Sequence, residues 1–148
     1  MRTIVIEPEY EAWRAAARRL LAQGVAPEEV LWTDDRQEAS LFVREEPAEA
    51  AAVPGDSAIK VPAAFMDLAR SVAAHTDARR WGMLYRVLWR LTRGAERHLL
   101  GMATDRDVRQ LQDWSKAVGR DIHKMHAFVR FRPVQEPGAD APRHVAWF

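Results

Sequence analysis

Three successive segments between Pro62 and Val118 carry apolar side chains at the spacing of an α-helix, and this pattern constrains the fold most. The members are Phe65, Leu68, Ala69 and Val72 in the first segment, Trp81, Leu84, Tyr85, Leu88 and Leu91 in the second, and Val108, Leu111, Trp114 and Val118 in the third. Each set falls on one side of a helix, which must bury that side against another element. The sequence therefore predicts a helical core in this half of the chain. Thr104 and Asp107 resemble a capping box at the start of the third helix.

The first part of the chain predicts shorter elements. Residues 3–6 are β-rich, residues 8–23 form an amphipathic helix pattern that stops at Gly24, and residues 30–32 suit a second strand. Residues 44–57, REEPAEAAAVPGDS, are acidic and contain two prolines and a PGD turn. This composition favours a loop or linker.

The end of the chain predicts an antiparallel strand pair. A helix over 118–126 leads into alternating residues at 127–134, and HVAWF at 144–148 follows a turn-rich stretch. We therefore expect an α+β fold, mostly helical, with a small antiparallel sheet that includes 127–134 and 144–148. Because the sequence stops on two large aromatic residues, we expect one domain over 1–148 that is truncated at its C-terminus. The alternative is that this aromatic end is buried.

Length and composition are typical of an ordinary globular domain, with 148 residues, 48% hydrophobic and 29% charged. A run of eighteen apolar residues, which a transmembrane helix would need, does not occur in the sequence, and the N-terminus lacks the apolar core of a signal peptide. The absence of cysteine excludes disulfides and thiolate metal sites. We expect a cytoplasmic protein that does not contact a membrane.

Charge is strongly segregated although the net charge is only +1. Residues 1–78 carry 8 Lys or Arg and 14 Asp or Glu, whereas residues 79–132 carry 13 and 5. Segregation of this kind indicates a polyanion partner. The alternative is that the acidic half packs against the basic half.

Five arginines form a ridge on the second predicted helix, opposite its apolar side. This arginine ridge consists of Arg79, Arg86, Arg90, Arg93 and Arg97. No acid at i±4 within the ridge neutralises it, so it suits either a polyanion or plain solvent.

The segment from Gly119 to Val134 concentrates basic and aromatic residues. Its candidates for nucleic-acid contact are Arg120, His123, Lys124, Phe128, Arg130 and Arg132. If 118–126 is helical, Val118, Ile122 and Met125 share the buried face, and the basic residues lie on the other side. The pattern suits a nucleic-acid backbone, and the alternative is a solvated basic surface.

Catalytic and metal-binding motifs are weak. Asp121 and His123 could serve as orienter and base, but nothing marks a nucleophile. Two histidines at i, i+3, His123 and His126, lack a zinc-protease signature, and Lys124 between them opposes a cation. We therefore expect no metal and no cofactor.

Four stretches carry a family resemblance: LYRVLWRL (84–91), DVRQLQ (107–112), VGRDIHKMHAFVRFR (118–132) and HVAWF (144–148). They resemble a bacterial family of DNA-metabolism or DNA-repair proteins whose activity is unassigned. Its members are encoded beside a radical-SAM DNA repair protein, or are fused to the N-terminus of uracil-DNA-binding uracil-DNA glycosylases. HKMHAFVRF, with the start MRTIVIEP, looks most like the fused version.

The resemblance implies a DNA-associated role with a uracil-DNA glycosylase-like domain in cis or a radical-SAM repair protein as partner. Family members continue past the aromatic strand with a further segment and helix, which this sequence lacks. The glycosylase motifs are also absent, so we do not expect uracil excision by this chain alone.

The leading hypothesis is a DNA-repair accessory domain that binds DNA through a basic helix and strand surface. The expected contacts are Arg86, Arg90, Arg93, Arg120, His123, Lys124, Phe128, Arg130 and Arg132. Two alternatives stay open. One is an enzyme of unknown reaction on nucleic acid that uses His123 and Asp121. The other is a protein-interaction module that docks a repair enzyme through an apolar patch near Trp147 and Phe148.

Overall fold

Helices dominate the residues that the computed structural model describes, which are 1–34, 59–128, 130–134, 137–138 and 143–147. In chain order the elements are β1 (Arg2–Val5), α1 (Tyr10–Gln23), β2 (Val30–Thr33), α2 (Ala63–Ala73), α3 (Arg80–Thr92), α4 (Arg106–Phe128), β3 (Arg130–Val134) and β4 (Arg143–Trp147). Single 3-10 turns occur at Pro27–Glu29 and Leu99–Gly101. The predicted loop or linker at 44–57 lies outside the described residues.

The predicted fold class, an α+β domain whose small antiparallel sheet includes 127–134 and 144–148, is wrong. The described fold is mainly helical, and the sheet that packs into its core is parallel: β1 runs beside β2, with Ile4 opposite Trp32 and both side chains buried. Parallel neighbours need a long crossover connection, which α1 provides between β1 and β2. Sequence periodicity indicated both strands but carried no information about their pairing.

The last two strands form a separate two-stranded ribbon. β3 and β4 are antiparallel, with Arg132 opposite Val145. The predicted start of the strand at Ala127 is wrong, because Ala127 and Phe128 are the last two residues of α4. No glycine or proline interrupts residues 120–132, so nothing ends the helix earlier.

One hydrophobic core joins the two halves of the chain. The ring of Trp13 on α1 lies 6.3 Å from that of Trp32 and 6.4 Å from that of Phe65, and Trp32 lies 5.5 Å from Tyr85. The Tyr85 hydroxyl donates to the carbonyl oxygen of Val25 at 2.7 Å. The three apolar stripes predicted for the helices are confirmed except at Leu68, which is only half-buried. The buried members are Phe65, Ala69, Val72, Trp81, Leu84, Tyr85, Leu88, Leu91, Val108, Leu111, Trp114 and Val118.

Two helix ends depend on the left-handed backbone region. α1 stops at Gly24, as predicted, with φ of 70°. After α3, the left-handed residue is Ala95, with φ of 56°, rather than the preceding Gly94. Gly94 is needed for a close backbone approach, because a Cβ atom there would lie 2.8 Å from the carbonyl oxygen of Arg90.

The capping-box pattern predicts Thr104 as the N-cap of α4, but the residue that caps this helix is Asp105. The Asp105 Oδ1 accepts from the backbone N–H groups of Asp107 and Val108, both at 3.1 Å. Aspartate is among the best N-cap residues, so the shift by one position costs the helix nothing.

We expect Trp13→Phe to lower the free energy of unfolding by about 1 kcal/mol more than Trp32→Phe does. The Trp13 Nε1 donates to the carbonyl oxygen of Trp81 at 3.2 Å. The Trp32 Nε1 is also buried but has no hydrogen-bond partner in the described part of the chain. Both changes remove a similar ring volume, so the difference isolates the hydrogen bond. Urea denaturation of both variants measures it, and equal losses would contradict it.

Candidate nucleic-acid interface

Arg90, at the centre of the arginine ridge, is held by acidic side chains of the protein itself. Its Nη2 lies 2.7 Å from the Asp105 carboxylate and 2.8 Å from that of Glu96, and its Nη1 lies 3.4 Å from that of Asp107. The Arg90 side chain is 26% exposed. No acid lies at i±4 within the ridge, as the sequence indicates, but acids from outside α3 neutralise its centre. Glu96 and Asp105 come from the segment between α3 and α4, and Asp107 comes from the first turn of α4.

Three other ridge residues also have partners inside the molecule, among them Arg79, whose Nη2 lies 2.7 Å from the Asp77 carboxylate. The Arg86 Nη1 lies 3.3 Å from the Asp107 carboxylate. The Arg93 Nη2 donates to the carbonyl oxygen of Leu21 at 2.9 Å. Leu21 lies two residues before the end of α1. Arg97 is exposed and has no side-chain partner among the residues described. Most of the ridge thus ties α3 to its neighbours.

The ion pairs shift the pKa values of the groups around Arg90. Hydrogen bonds from Arg90 lower the pKa of Asp105 and the pKa of Glu96. Hydrogen bonds to Glu96 and Asp105 in turn raise the pKa of Arg90. All three groups are therefore charged at neutral pH, and the opposite charges cancel much of the attraction that Arg90 could exert on a polyanion.

A different set of cations follows one side of α4. This cationic face consists of Arg106, Arg109, Lys116, Arg120 and Lys124, all of them exposed. No side-chain hydrogen bond or ion pair joins any of the five to another described residue. Their spacings of 3, 4 and 7 place them on the side of α4 that faces away from its buried residues. Asp113 also lies on this side, between Arg109 and Lys116.

The C-terminal part of this face contains a shallow, open depression. Lys116, Gly119, Arg120, His123 and Lys124 line it. Lys116 and Lys124 are separated by about 12 Å along the helix axis. A Cβ atom on Gly119 would meet nothing within 4 Å, so the glycine leaves open space between the cations. The structure therefore brings Arg120, His123 and Lys124 together as predicted.

Sequence reasoning missed Arg106, Arg109 and Lys116. The signal was present in the spacing, because Arg109, Lys116 and His123 follow each other at intervals of seven. Gly119 hides this spacing, because a glycine at that position suggests a break between two separate segments. In the structure both belong to α4, which is 23 residues long.

The distal segment of α4, residues 119–127, is exposed at every position. The prediction that Ile122 and Met125 continue the buried face of Val118 is wrong, because they are 47% and 55% exposed. The apolar spacing continues, but the core of described residues ends at Val118. The helix therefore projects beyond the core by more than two turns.

Asp121 and His123, the catalytic candidates, are not brought together. Both are exposed, and residues two positions apart point about 200° from each other around a helix. His123 lines the depression and Asp121 does not. The arrangement lacks the contact that a base and its orienting group require.

Three of the residues predicted to contact nucleic acid have side chains outside the described part of the molecule. The backbones of Phe128, Arg130 and Arg132 belong to α4 and β3, but their side chains lie outside the described part of the molecule. The same holds for Trp147, and Phe148 is outside the described residues altogether.

The described residues contain neither a membrane-spanning helix nor a metal-binding cluster. None of the helices there combines the length and apolar character needed to cross a membrane. In the same residues, no three His, Asp or Glu side chains cluster in a way that could hold a metal ion.

Comparison with known proteins gives one finding. Residues 78–148 match the model of DUF4130, a family described as a domain of unknown function. The matched part contains α3, α4 and the ribbon, and so includes the whole cationic face. No curated protein matches the chain, and no solved structure matches it.

Proposed function

We propose that this chain is a DNA-binding accessory domain of bacterial DNA repair that holds DNA phosphates on the cationic face of α4. It works in the cytoplasm beside a catalytic partner, which is a uracil-DNA glycosylase-like domain in cis or a radical-SAM repair protein. The resemblance at 84–91, 107–112, 118–132 and 144–148 supports the repair context. The DUF4130 match adds no activity of its own.

The observation that carries the proposal is the contrast between the two basic surfaces. Arg86, Arg90 and Arg93 are occupied by acids or by a backbone carbonyl. The five cations on α4 are exposed and have no ion pair among the described residues. Unpaired Lys and Arg side chains in a row attract phosphates and release counterions from DNA when they bind. The geometry therefore favours α4 over the ridge as the DNA contact.

A second candidate function, docking of a protein partner, is favoured by one observation. Ile122 and Met125 are exposed apolar side chains on the side of α4 away from the cationic face. Exposed apolar residues next to each other can mark a protein contact. The proposed enzyme function has no comparable support, because Asp121 and His123 diverge.

We expect the triple variant Lys116→Ala, Arg120→Ala, Lys124→Ala to bind duplex DNA much more weakly than the natural chain. Each lost phosphate contact reduces the slope of log affinity against log salt by about 0.9, so the slope should fall by about 3. Fluorescence anisotropy with a labelled duplex at several salt concentrations measures both quantities. His123→Ala should weaken binding to a smaller extent without lowering the melting temperature, because the side chain is exposed.

Arg86→Ala is the matched control. It removes one positive charge, but from an arginine that already pairs with Asp107. Nine positions separate Asp107 from Lys116, which places them on opposite sides of α4. Binding that is insensitive to salt would refute the proposal. So would a loss of DNA affinity in Arg86→Ala as large as the loss in Lys116→Ala.

A further inference from the structure

We infer that the distal segment of α4, residues 119–127, enters the major groove of B-form duplex DNA. The inference rests on the proposed function and names the form of nucleic acid that the site takes. It is carried by the exposure of this segment on all of its sides and by the different chemistry of its two faces.

Full exposure is the first argument. A helix that only touches a phosphate backbone needs one free side, and the rest of it can pack on the protein. The first half of α4 does this, since Val108, Leu111, Trp114 and Val118 are buried beneath exposed cations. The distal segment instead keeps every residue from Gly119 to Ala127 exposed. A helix segment with no packed side can be surrounded by both walls and the floor of a groove, which the packed first half of α4 cannot.

Size is the second argument. The major groove of B-DNA is about 12 Å wide and admits an α-helix, whose diameter with side chains is about 10–12 Å. Nine helical residues extend for about 13 Å, enough to lie within the groove over several base pairs. The segment thus has the dimensions of a groove-binding helix, and its continuity with the packed half of α4 keeps it helical.

The third argument is that the two faces suit the two surfaces that a groove presents. Lys124 and Met125 lie about 100° apart around the helix axis, so Lys124 can reach phosphates on one wall of the groove while Met125 faces its floor. The long Arg120 side chain, one turn before Lys124, can reach the same wall. Ile122 and Met125 lie on the other side and are exposed. Apolar side chains at the floor of the major groove contact thymine methyl groups. Contact with phosphates alone would leave these two side chains in water.

The test uses three ligands with the full chain: a DNA duplex, an RNA duplex of the same length, and a DNA duplex whose cytosines are glucosylated 5-hydroxymethylcytosine. The A-form RNA major groove is too deep and narrow for a helix, so binding to RNA should be about tenfold weaker. Glucose fills the DNA groove without changing the phosphates, and should also weaken binding about tenfold. Equal affinity for all three ligands would overturn the inference and leave the proposed phosphate binding intact.

Two variants separate groove contact from phosphate contact. Ile122→Ala with Met125→Ala should weaken binding to the plain DNA duplex about threefold to tenfold with an unchanged salt slope. Lys116→Ala should reduce the slope and affect all three ligands alike. Circular dichroism of both variants checks that the fold is retained.

Two further outcomes count against the inference. If the Ile122, Met125 double variant binds DNA normally but loses self-association in sedimentation, the apolar side is a protein contact and groove entry is wrong. If the natural chain binds none of the three ligands at low salt, the proposed function fails and the inference falls with it.

Discussion

Arg80→Ala is expected to lower the free energy of unfolding by about 3 kcal/mol or more, because it breaks a buried ion pair and strands the partner groups. The Arg80 side chain is only 5% exposed, and its Nη2 lies 2.7 Å from the Asp34 carboxylate. Its Nε donates to the carbonyl oxygen of Ala73 at 3.2 Å, and its Nη1 donates to that of Asp77 at 2.9 Å. One side chain thus connects the end of β2 with the turn between α2 and α3.

The loss should be large because the Asp34 carboxylate depends on Arg80. Burial by itself would raise the pKa of Asp34, but hydrogen bonds from Trp81 and Arg80 outweigh it and lower that pKa below its usual value. Without Arg80, the carboxylate keeps the Trp81 Nε1, which donates at 3.0 Å, and a hydrogen bond from its own backbone, but no charged partner. Two carbonyl oxygens would also lose their donors.

Arg79→Ala is the matched control for Arg80→Ala. It removes the same residue type one position earlier, where the side chain is 76% exposed and pairs with Asp77 at the surface. An exposed ion pair contributes about 1 kcal/mol or less. Urea unfolding of both variants, followed by circular dichroism, makes the comparison. Similar losses at the two positions would show that the buried pair is not a main stabilising contact.

Asp105→Ala is expected to cost about 2–3 kcal/mol, since Asp105 caps α4 and also binds Arg90. Its Oδ1 accepts from the Asp107 and Val108 N–H groups at 3.1 Å, and its Oδ2 lies 2.7 Å from Arg90 Nη2. Loss of the cap accounts for about 1 kcal/mol of this. The remainder is the charged hydrogen bond, which Glu96 replaces only in part.

Asp105→Asn separates the two roles. Asparagine caps a helix as well as aspartate but carries no charge, so this variant should lose less stability than Asp105→Ala. The natural chain should lose stability in acid, as the pH falls from the ordinary pKa values of Asp and Glu towards the lowered pKa values that Asp105 and Glu96 have in the folded state. Asp105→Asn should show a shallower loss in acid. Equal stability of the two variants, with unchanged acid sensitivity, would contradict a role for the charge.

The helices could be predicted because their information is local. Phe65, Leu84 and Leu111 belong to stripes whose period alone reveals a helix, and Gly24 marks a stop by its conformation. The fold class could not be predicted in this way. Ile4 and Trp32 lie in strands whose pairing is set by how the intervening α1 packs on α3, and strand pairing has no local signature.

The candidate site shows the same division. By itself the sequence determined which residues are charged, which share a helical face, and that Arg120, His123 and Lys124 cluster. Only the tertiary structure decided which charges are occupied. Arg90 is held by Asp105, fifteen residues away, whereas Lys116 and Arg120 have no such partner among the described residues. Likewise, Ile122 continues the apolar period of α4 but is exposed, because the core ends at Val118. Periodicity shows on which side of a helix a residue lies, whereas its burial and ion pairing depend on the residues that the fold places next to it.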